Sequence, residues 1–599
     1  MRFDRLTKLI AACAAGVLVL GACTAEPDAV EEVPGTSPTP GGEISVAETS
    51  SFSSFNPQTA DGNTDINNRI AYATHSGFNY VDNNLDVVPL EDFGTYERIS
   101  EDPLTVKYTV NEGVAWSDGA PVGADDMMLA WAAASGRFDD ELTASNGTVL
   151  SGTRYFDYAG STEALALTGL PEIGDDNRSI TLTYSQPYAD WETAFGSLAD
   201  DGGIGVPAHV VAQGAGLADE KELTRLIRNT PAGDALDPAP VNPELRAVAD
   251  YWNTAFTTDG LPDDPALYLS SGPYIVQSIE PGTSLTLVRN DDYRWGPQPE
   301  LDRITVRFLQ DSSGQAAALK DGTVDIISPP ADSGTLTELE SMGNINLHRG
   351  NQLAYDHLDL KFDGIFADKT VREAFLHTVP RQAIVEATVQ PLQPEAKPLD
   401  SEVFLTDQSA YEEAAATNGS REFAAVDPDR ARDLLDGATP EVRILYNRDN
   451  TNRAAAFKLI QESASEAGFT VVDGGLPASD WAEQLGTDSH DAAIFGWTAS
   501  GVGVSGVPQV FRTGSASNFN GFSSPAADAL MDELVTETDA QRRDELQTRI
   551  DRLIWDARYG LPLYQVPGLQ ASADTIEHVE YMPNQTGLWW NFWEWSVAR

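Results

Sequence analysis

Leu285-Thr286-Leu287-Val288 and Ile304-Thr305-Val306-Arg307-Phe308 are followed at once by Ser312-Ser313-Gly314-Gln315-Ala316-Ala317-Ala318-Leu319-Lys320, which ends near Gly322. The two short runs alternate apolar and polar residues, the period of a strand with one buried face. The alanine-rich run reads as a helix closed by glycine. Strands and helices mixed in this way argue for an α/β or α+β architecture.

Outward from this stretch the mixture continues. Glu43-Ile44-Ser45-Val46-Ala47, Leu104 to Val110 and Ser179 to Tyr184 alternate as strands do. Ala124 to Ala134 reads as a helix, with Asp125 and Asp126 favourable in its first turn. Val371 to Val389 is helical but interrupted by Pro380, which predicts a break. Arg453 to Ala467 is a helix closed by Gly468. Val471-Val472 and Ala492-Ala493-Ile494-Phe495 are short strand candidates. Ala540 to Arg558 is an amphipathic helix with Leu546, Ile550, Leu553 and Ile554 on one face.

The start of the chain is of another kind. Met1 to Lys8 is basic, Leu9 to Leu20 is apolar, and Leu20-Gly21-Ala22-Cys23 precedes polar Thr24-Ala25-Glu26. The order of charge, apolar run and small residues is that of a secretory signal. The apolar run is too short to span a bilayer, which takes about 20 residues. The Leu20–Cys23 stretch resembles the lipobox of bacterial lipoproteins. That resemblance implies a mature chain starting at Cys23, lipidated there and held at the outer face of the cell membrane. Residues 24–42 are rich in Pro, Glu, Gly, Ser and Thr and are expected to form a flexible tether.

With 599 residues the chain exceeds one simple core, and two or three domains are expected. The only cysteines are Cys13 and Cys23. The first leaves with the signal and the second is lipidated, so neither a disulfide nor a thiol-based zinc site is expected. The 92 acidic against 38 basic residues give a net charge of −54. Nucleic acid is therefore not an expected partner, because phosphate binding needs a basic surface.

Five separated blocks carry a family resemblance. Trp116-Ser117-Asp118-Gly119-Ala120-Pro121-Val122-Gly123-Ala124-Asp125-Asp126 is the first. Ser271-Gly272-Pro273-Tyr274, Glu280-Pro281-Gly282 and Arg289-Asn290-Asp291-Asp292-Tyr293 form the second, and Leu319 to Ile326 the third. Val371-Arg372-Glu373-Ala374-Phe375 with Pro380 to Val385 is the fourth, and Gly560-Leu561-Pro562-Leu563-Tyr564 the fifth. In this order they resemble the family 5 extracellular solute-binding proteins of ABC importers.

The resemblance implies a two-lobed, periplasmic-binding-protein-like (Venus-flytrap) α/β fold with an extra domain inserted in the first lobe. It places a signal peptide at 1–22, the lipidated tether at 23–42, and lobe I at 43–80, 265–355 and 570–599. The inserted domain would be 81–264 and lobe III 356–569. The implied partners are an oligopeptide or other small solute, an ABC transporter permease, and the membrane through the anchor, with the protein acting as a monomer. No cofactor is implied.

In peptide-binding members the ligand lies extended between the lobes and pairs with a strand from each. The corresponding lobe III segment is Phe495-Gly496-Trp497-Thr498-Ala499-Ser500; the lobe I partner falls at Asn63-Thr64-Asp65, and Tyr355 lies near the lobe boundary. Peptide binders read G-W-x-x-D here, and that aspartate takes the peptide's α-ammonium. Ser500 stands in its place. Losing a hydrogen bond to a charged group weakens capture by about ten- to a hundredfold, unless another acid such as Asp65, Asp480 or Asp491 substitutes. An oligosaccharide is the alternative ligand.

An exported hydrolase is the alternative from another class, but the chain has no G-x-S-x-G elbow and no zinc motif. The seven histidines show no H-E-x-x-H spacing, and only His348 and His357 are candidates to meet in space. No catalytic and no metal-binding residue is therefore expected. Gly501 to Gly506 matches G-x-G-x-x-G, but Val507-Pro508 leave the required helix start unsettled, and a loop at the cleft rim is expected rather than a dinucleotide site. Trp589, Trp590, Trp593 and Trp595 are expected to pack the C-terminal segment rather than line a binding wall. Arg372 and Arg381 are expected in structural ion pairs.

Overall fold

The strand pattern at 43–47 becomes the middle of a large sheet. In this computed structural model the described residues are 41–598, apart from 144–148, 161, 199–201, 478–479, 499–501 and 516. The predicted lipidation site Cys23, the signal and most of the tether lie outside them.

Ten strands form the sheet: β1 (Glu43–Glu48), β2 (Tyr274–Glu280), β3 (Ser284–Arg289), β4 (Arg303–Phe308), β5 (Ile326–Ile327), β6 (Ile345–Leu360), β7 (Glu441–Asn447), β8 (Thr470–Leu476), β9 (Ala492–Thr498) and β10 (Gly560–Ala573). Their order across the sheet is β2-β3-β4-β1-β5-β10-β6-β9-β7-β8. β1 lies parallel to β4, and Ile44, Val46, Ile304 and Val306 are buried.

Two unusually long strands join the halves. β6 and β10 pair antiparallel from Ile345–Ala573 to Asp359–Gly560. β5 pairs with the far end of β10, while β9 pairs with the other half of β6, from Ala354 to Leu360. The ladder breaks register between Asn351 and Tyr355, midway between the two groups. Such irregularities bend and twist a sheet.

The extra domain has its own four-stranded antiparallel sheet, built from Gly94–Glu101, Leu104–Val110, Ser179–Thr183 and Glu172–Ile173. Against it packs the helix Ala124–Ala134, buried along its whole length, Asp125 and Asp126 included. Asp126 accepts hydrogen bonds from the amides of Gly123 and Ala208, both at 2.9 Å. Burial still pushes its carboxyl up to about 6.

The break at Pro380 is present: one helix is Lys369–Leu376 and the next Arg381–Thr388. The expected ion pairs are only half there. Arg381 meets Asp400 at 3.0 Å and donates to the carbonyl of Leu399 at 2.8 Å. Arg372 instead donates to the carbonyls of Phe366 and Ala557. A buried guanidinium near free helix-end carbonyls needs no carboxylate to be satisfied. The C-terminal tryptophans pack as expected: Trp589, Trp590 and Trp595 are buried, and Trp589 Nε1 donates to Glu48 at 2.8 Å.

Candidate functional site

A cavity of about 380 Å³ lies where the two halves of the molecule face each other. That falls in the range of small-molecule sites, about 300–1,000 Å³. One wall carries Asn63, Tyr158, Tyr188 and Asp190; the other carries Tyr355, Glu402, Trp497 and Val502 to Phe511.

Backbone pairing explains the floor. Tyr355 of β6 and Trp497 of β9 are direct cross-strand partners, so their side chains leave the sheet on the same face. Trp497 stacks on Phe519 with ring centroids 5.8 Å apart and planes 8° apart. Its indole Nε1 has no hydrogen-bond partner. The Tyr355 hydroxyl donates to the carbonyl of Glu402 at 3.1 Å. Beneath the strand, Asp356 holds the Arg453 guanidinium at 2.8 and 3.2 Å and the Tyr564 hydroxyl at 2.9 Å.

The pairing of β9 leaves one edge uncovered. β7 meets it only through Ala492, Ala493 and Ile494. Phe495 to Thr498 run on toward the cavity beside β6 alone among the described residues. Uncovered main-chain donors and acceptors are a template for another extended chain.

Not all the residues singled out from sequence come together. Asn63, Tyr355, Trp497 and Thr498 line the cavity. Thr64 caps the helix Asp65–Thr74 instead, accepting from the Asn67 amide at 3.4 Å. Asp65 accepts from Gln585 Nε2 at 2.9 Å, and only Gln585 reaches the cavity wall. Gly496 lies under the strand, where an added Cβ would sit 2.6 Å from Asp356 Oδ1. Ala499 and Ser500 lie outside the described residues. Of the substitute acids, Asp491 accepts from the Arg443 amide at 2.8 Å; neither it, Asp480 nor Asp65 is among the lining residues.

The opposing walls touch directly. Asp190 Oδ2 accepts from the amides of Val504 at 2.9 Å and Ser505 at 3.3 Å. Next to it the Ala189 amide donates to the Val535 carbonyl at 2.7 Å. Burial raises the Asp190 carboxyl, and the two amides oppose that rise. Of the loop expected at the cleft rim from Gly501–Gly506, residues 502–506 form part of the wall, and Gly501 lies outside the described residues. A helix does open there, at Gly506–Phe511. Pro508 falls in its first turn, where a missing N–H costs nothing. Neither Asp190 nor Glu402 was singled out from sequence, for both are isolated acids in polar stretches without periodicity.

His348 and His357, for which the ordinary reading is favoured over a shared site, do not meet. They sit on the same strand, about 30 Å apart at the usual rise per residue. His357 Nδ1 instead lies 2.6 Å from Asp359 Oδ1. Elsewhere Glu373, His377 and Glu422 bring possible ligand atoms within 4.8 Å of one another. Arg558 lies 2.8 Å from Glu422 and 3.4 Å from Glu373, and Arg430 lies 3.1 Å from Glu373. The charge a cation would need is already matched.

Two halves joined by two long paired strands, with a cavity where they face each other, are the arrangement of a solute-binding protein. The profile of the bacterial extracellular solute-binding proteins, family 5 Middle, matches residues 91–519, and the chain belongs to that family. The family is extracytoplasmic, binds peptides or small solutes and works with ABC transporters. An uncharacterized lipoprotein of Mycobacterium tuberculosis is 27% identical over 553 residues, 91% of each chain. The oligopeptide-binding protein OppA of the same organism is 25% identical over 506 residues, 81% of this chain and 73% of that one. Among solved structures, the periplasmic EDTA-binding protein EppA superposes with a TM-score of 0.77 at 21% identity, covering 96% of this chain and all of that one. AppA of Bacillus subtilis, in complex with a nonapeptide, gives 0.68 at 18%, covering 94% and 100%.

Proposed function

We propose that this chain is a lipid-anchored receptor that takes up a short peptide in an extended form and presents it to an ABC transporter permease. The observation that carries the reading is the uncovered edge of β9 at Phe495–Thr498, running into the cavity. A peptide main chain pairing there gains about 0.5–1.5 kcal/mol per hydrogen bond, so several bonds are needed. Trp497 and Tyr355 flank that edge and offer apolar faces to side chains. Closure follows from differential contact: only when the walls meet does the ligand touch both.

The anchor rests on the Leu20–Cys23 stretch and on relatives named as lipoproteins. By this reading the lobes divide as the sequence blocks suggest, near 81, 265, 356 and 570. The residues that hold the ligand are Asn63, Tyr355, Trp497 and Thr498, joined by the wall residues from Val502 onward.

Titration calorimetry with a defined tripeptide set and a maltooligosaccharide set tests the reading, followed by chromatography of the recovered ligand. Saturable peptide binding with intact recovery is expected. Binding of the sugars alone would replace the peptide by an oligosaccharide, and cleaved peptide would make the protein a hydrolase.

A further inference from the structure

The described wall of the cavity contains no lysine, arginine or histidine; its only carboxyls are Asp190 and Glu402. Asp190 is engaged by two amides. Glu402 is not engaged. Its main chain is fixed at both ends, the amide donating to Asp551 Oδ1 at 2.9 Å and the carbonyl accepting from Tyr355. The residue is 3% exposed, and neither carboxyl oxygen has a hydrogen-bond partner. A buried ionised carboxylate in that state is strongly disfavoured.

The neighbours sharpen the point. Asp359 of β6 and Asp551 of the helix Ala540–Ala557 face Glu402 and oppose a second negative charge. Arg381 is the nearby cation, but its guanidinium is held by Asp400 and the carbonyls of Leu399, Pro562 and Phe423. Asp359 is engaged by His357 and by the Tyr559 hydroxyl at 3.1 Å. Burial first, then Asp359 and Asp551, hold the Glu402 carboxyl well above the usual carboxylate range. Burial and these neighbours thus favour the neutral form of Glu402, whose carboxyl has no hydrogen-bond partner.

We propose that Glu402 is the acceptor for a positively charged group of the ligand, an ammonium or guanidinium, and that binding drives the Glu402 proton into solvent. The carboxyl O–H bond breaks, the proton passes to buffer, and the carboxylate pairs with the incoming cation, so the site stays neutral overall. This rests on the peptide reading and narrows it. The cleft selects peptides by a cation, and its described wall offers an anionic solute no base. The cation has two sources, the α-ammonium or a basic side chain.

The test is titration calorimetry of the purified protein at pH 6 with Ala-Ala-Ala, N-acetyl-Ala-Ala-Ala and N-acetyl-Ala-Lys-Ala, each in two buffers of different ionisation enthalpy. At least one cationic peptide is expected to bind about tenfold or more tighter than the neutral one, with up to one proton released per complex. Preference for Ala-Ala-Ala assigns the α-ammonium, and preference for the lysine peptide assigns the side chain. Glu402→Gln keeps the size, removes the charge, and should abolish both the preference and the proton release. Equal binding of all three peptides, no proton release, or a preference that survives in Glu402→Gln would overturn the proposal while leaving the peptide reading intact. Binding of none of the three overturns the peptide reading and this inference with it. Should Glu402→Gln melt before 25 °C, the preference and the proton release of the unaltered protein decide alone.

Discussion

Asp190 Oδ2 sits 2.9 Å from the amide nitrogen of Val504, a residue 314 positions away in the chain, and so joins the two walls of the cleft. The same oxygen reaches Ser505 at 3.3 Å. One carboxylate holding two main-chain donors acts as a latch. Any arrangement that parts the two walls would lose these contacts, and a ligand that favours one arrangement shifts the population toward it.

Asp190→Ala is therefore expected to leave the fold intact and weaken ligand binding by about tenfold or more, since a hydrogen bond to a charged group contributes about 1.5–3 kcal/mol. Small-angle scattering of the ligand-free variant should give a larger radius of gyration. An unchanged radius and an unchanged affinity would remove the latch from the account.

Gly503 makes the latch possible from the other side. Its φ of +83° suits glycine, and an added Cβ would stand 2.5 Å from Asp190 Oδ2. Gly503→Ala is expected to loosen closure as Asp190→Ala does, through strain and a clash together. Circular dichroism should show the native spectrum while calorimetry shows the weaker binding; full affinity would mean that the loop adapts without cost.

Trp497 lies on the cavity floor between Phe519 and Phe495. Removing its ring strips an apolar face from the ligand and leaves the strand pairing untouched. Trp497→Ala is expected to lose about tenfold or more in affinity, as aromatic anchors do, with little change in the urea midpoint. Unchanged affinity would show that the ring only packs.

Stability toward acid should depend on His75. Burial lowers its pKa to about 4, although its Nδ1 lies 3.2 Å from the Ala71 carbonyl at a helix end. With a folded value below the unfolded one, near 6.5, its contribution is present above pH 6.5 and is lost as the pH falls toward 4. Between pH 7 and pH 5 the loss is about 1–2 kcal/mol. His75→Gln should lessen the fall in urea stability over that range; an identical fall in both proteins would locate the acid sensitivity elsewhere.

The strands were legible wherever one face is buried and the other wet, as in Glu43–Glu48 and Leu104–Val110. The helix break at Pro380 and the glycine cap at Gly468 follow from single-residue backbone limits and were legible for that reason. The helix at Gly506 was not, because the tolerance of a first-turn proline depends on where the helix begins. Asp190 and Glu402 left no local trace: what makes each distinctive is a contact, or a missing one, with chain far away in sequence. The cross-strand pair Tyr355–Trp497 became visible only with the register of β6 and β9. Arg372 misled for a related reason, since carbonyls that satisfy a guanidinium carry no sequence signal.

The central claim is that the cleft holds a peptide. Mass spectrometry of what travels with the purified protein, first under native and then under denaturing conditions, tests it most directly. A ladder of short-peptide masses is the expected result, with free amino ends or basic residues enriched. A sugar mass, or one single non-peptide mass, would contradict it.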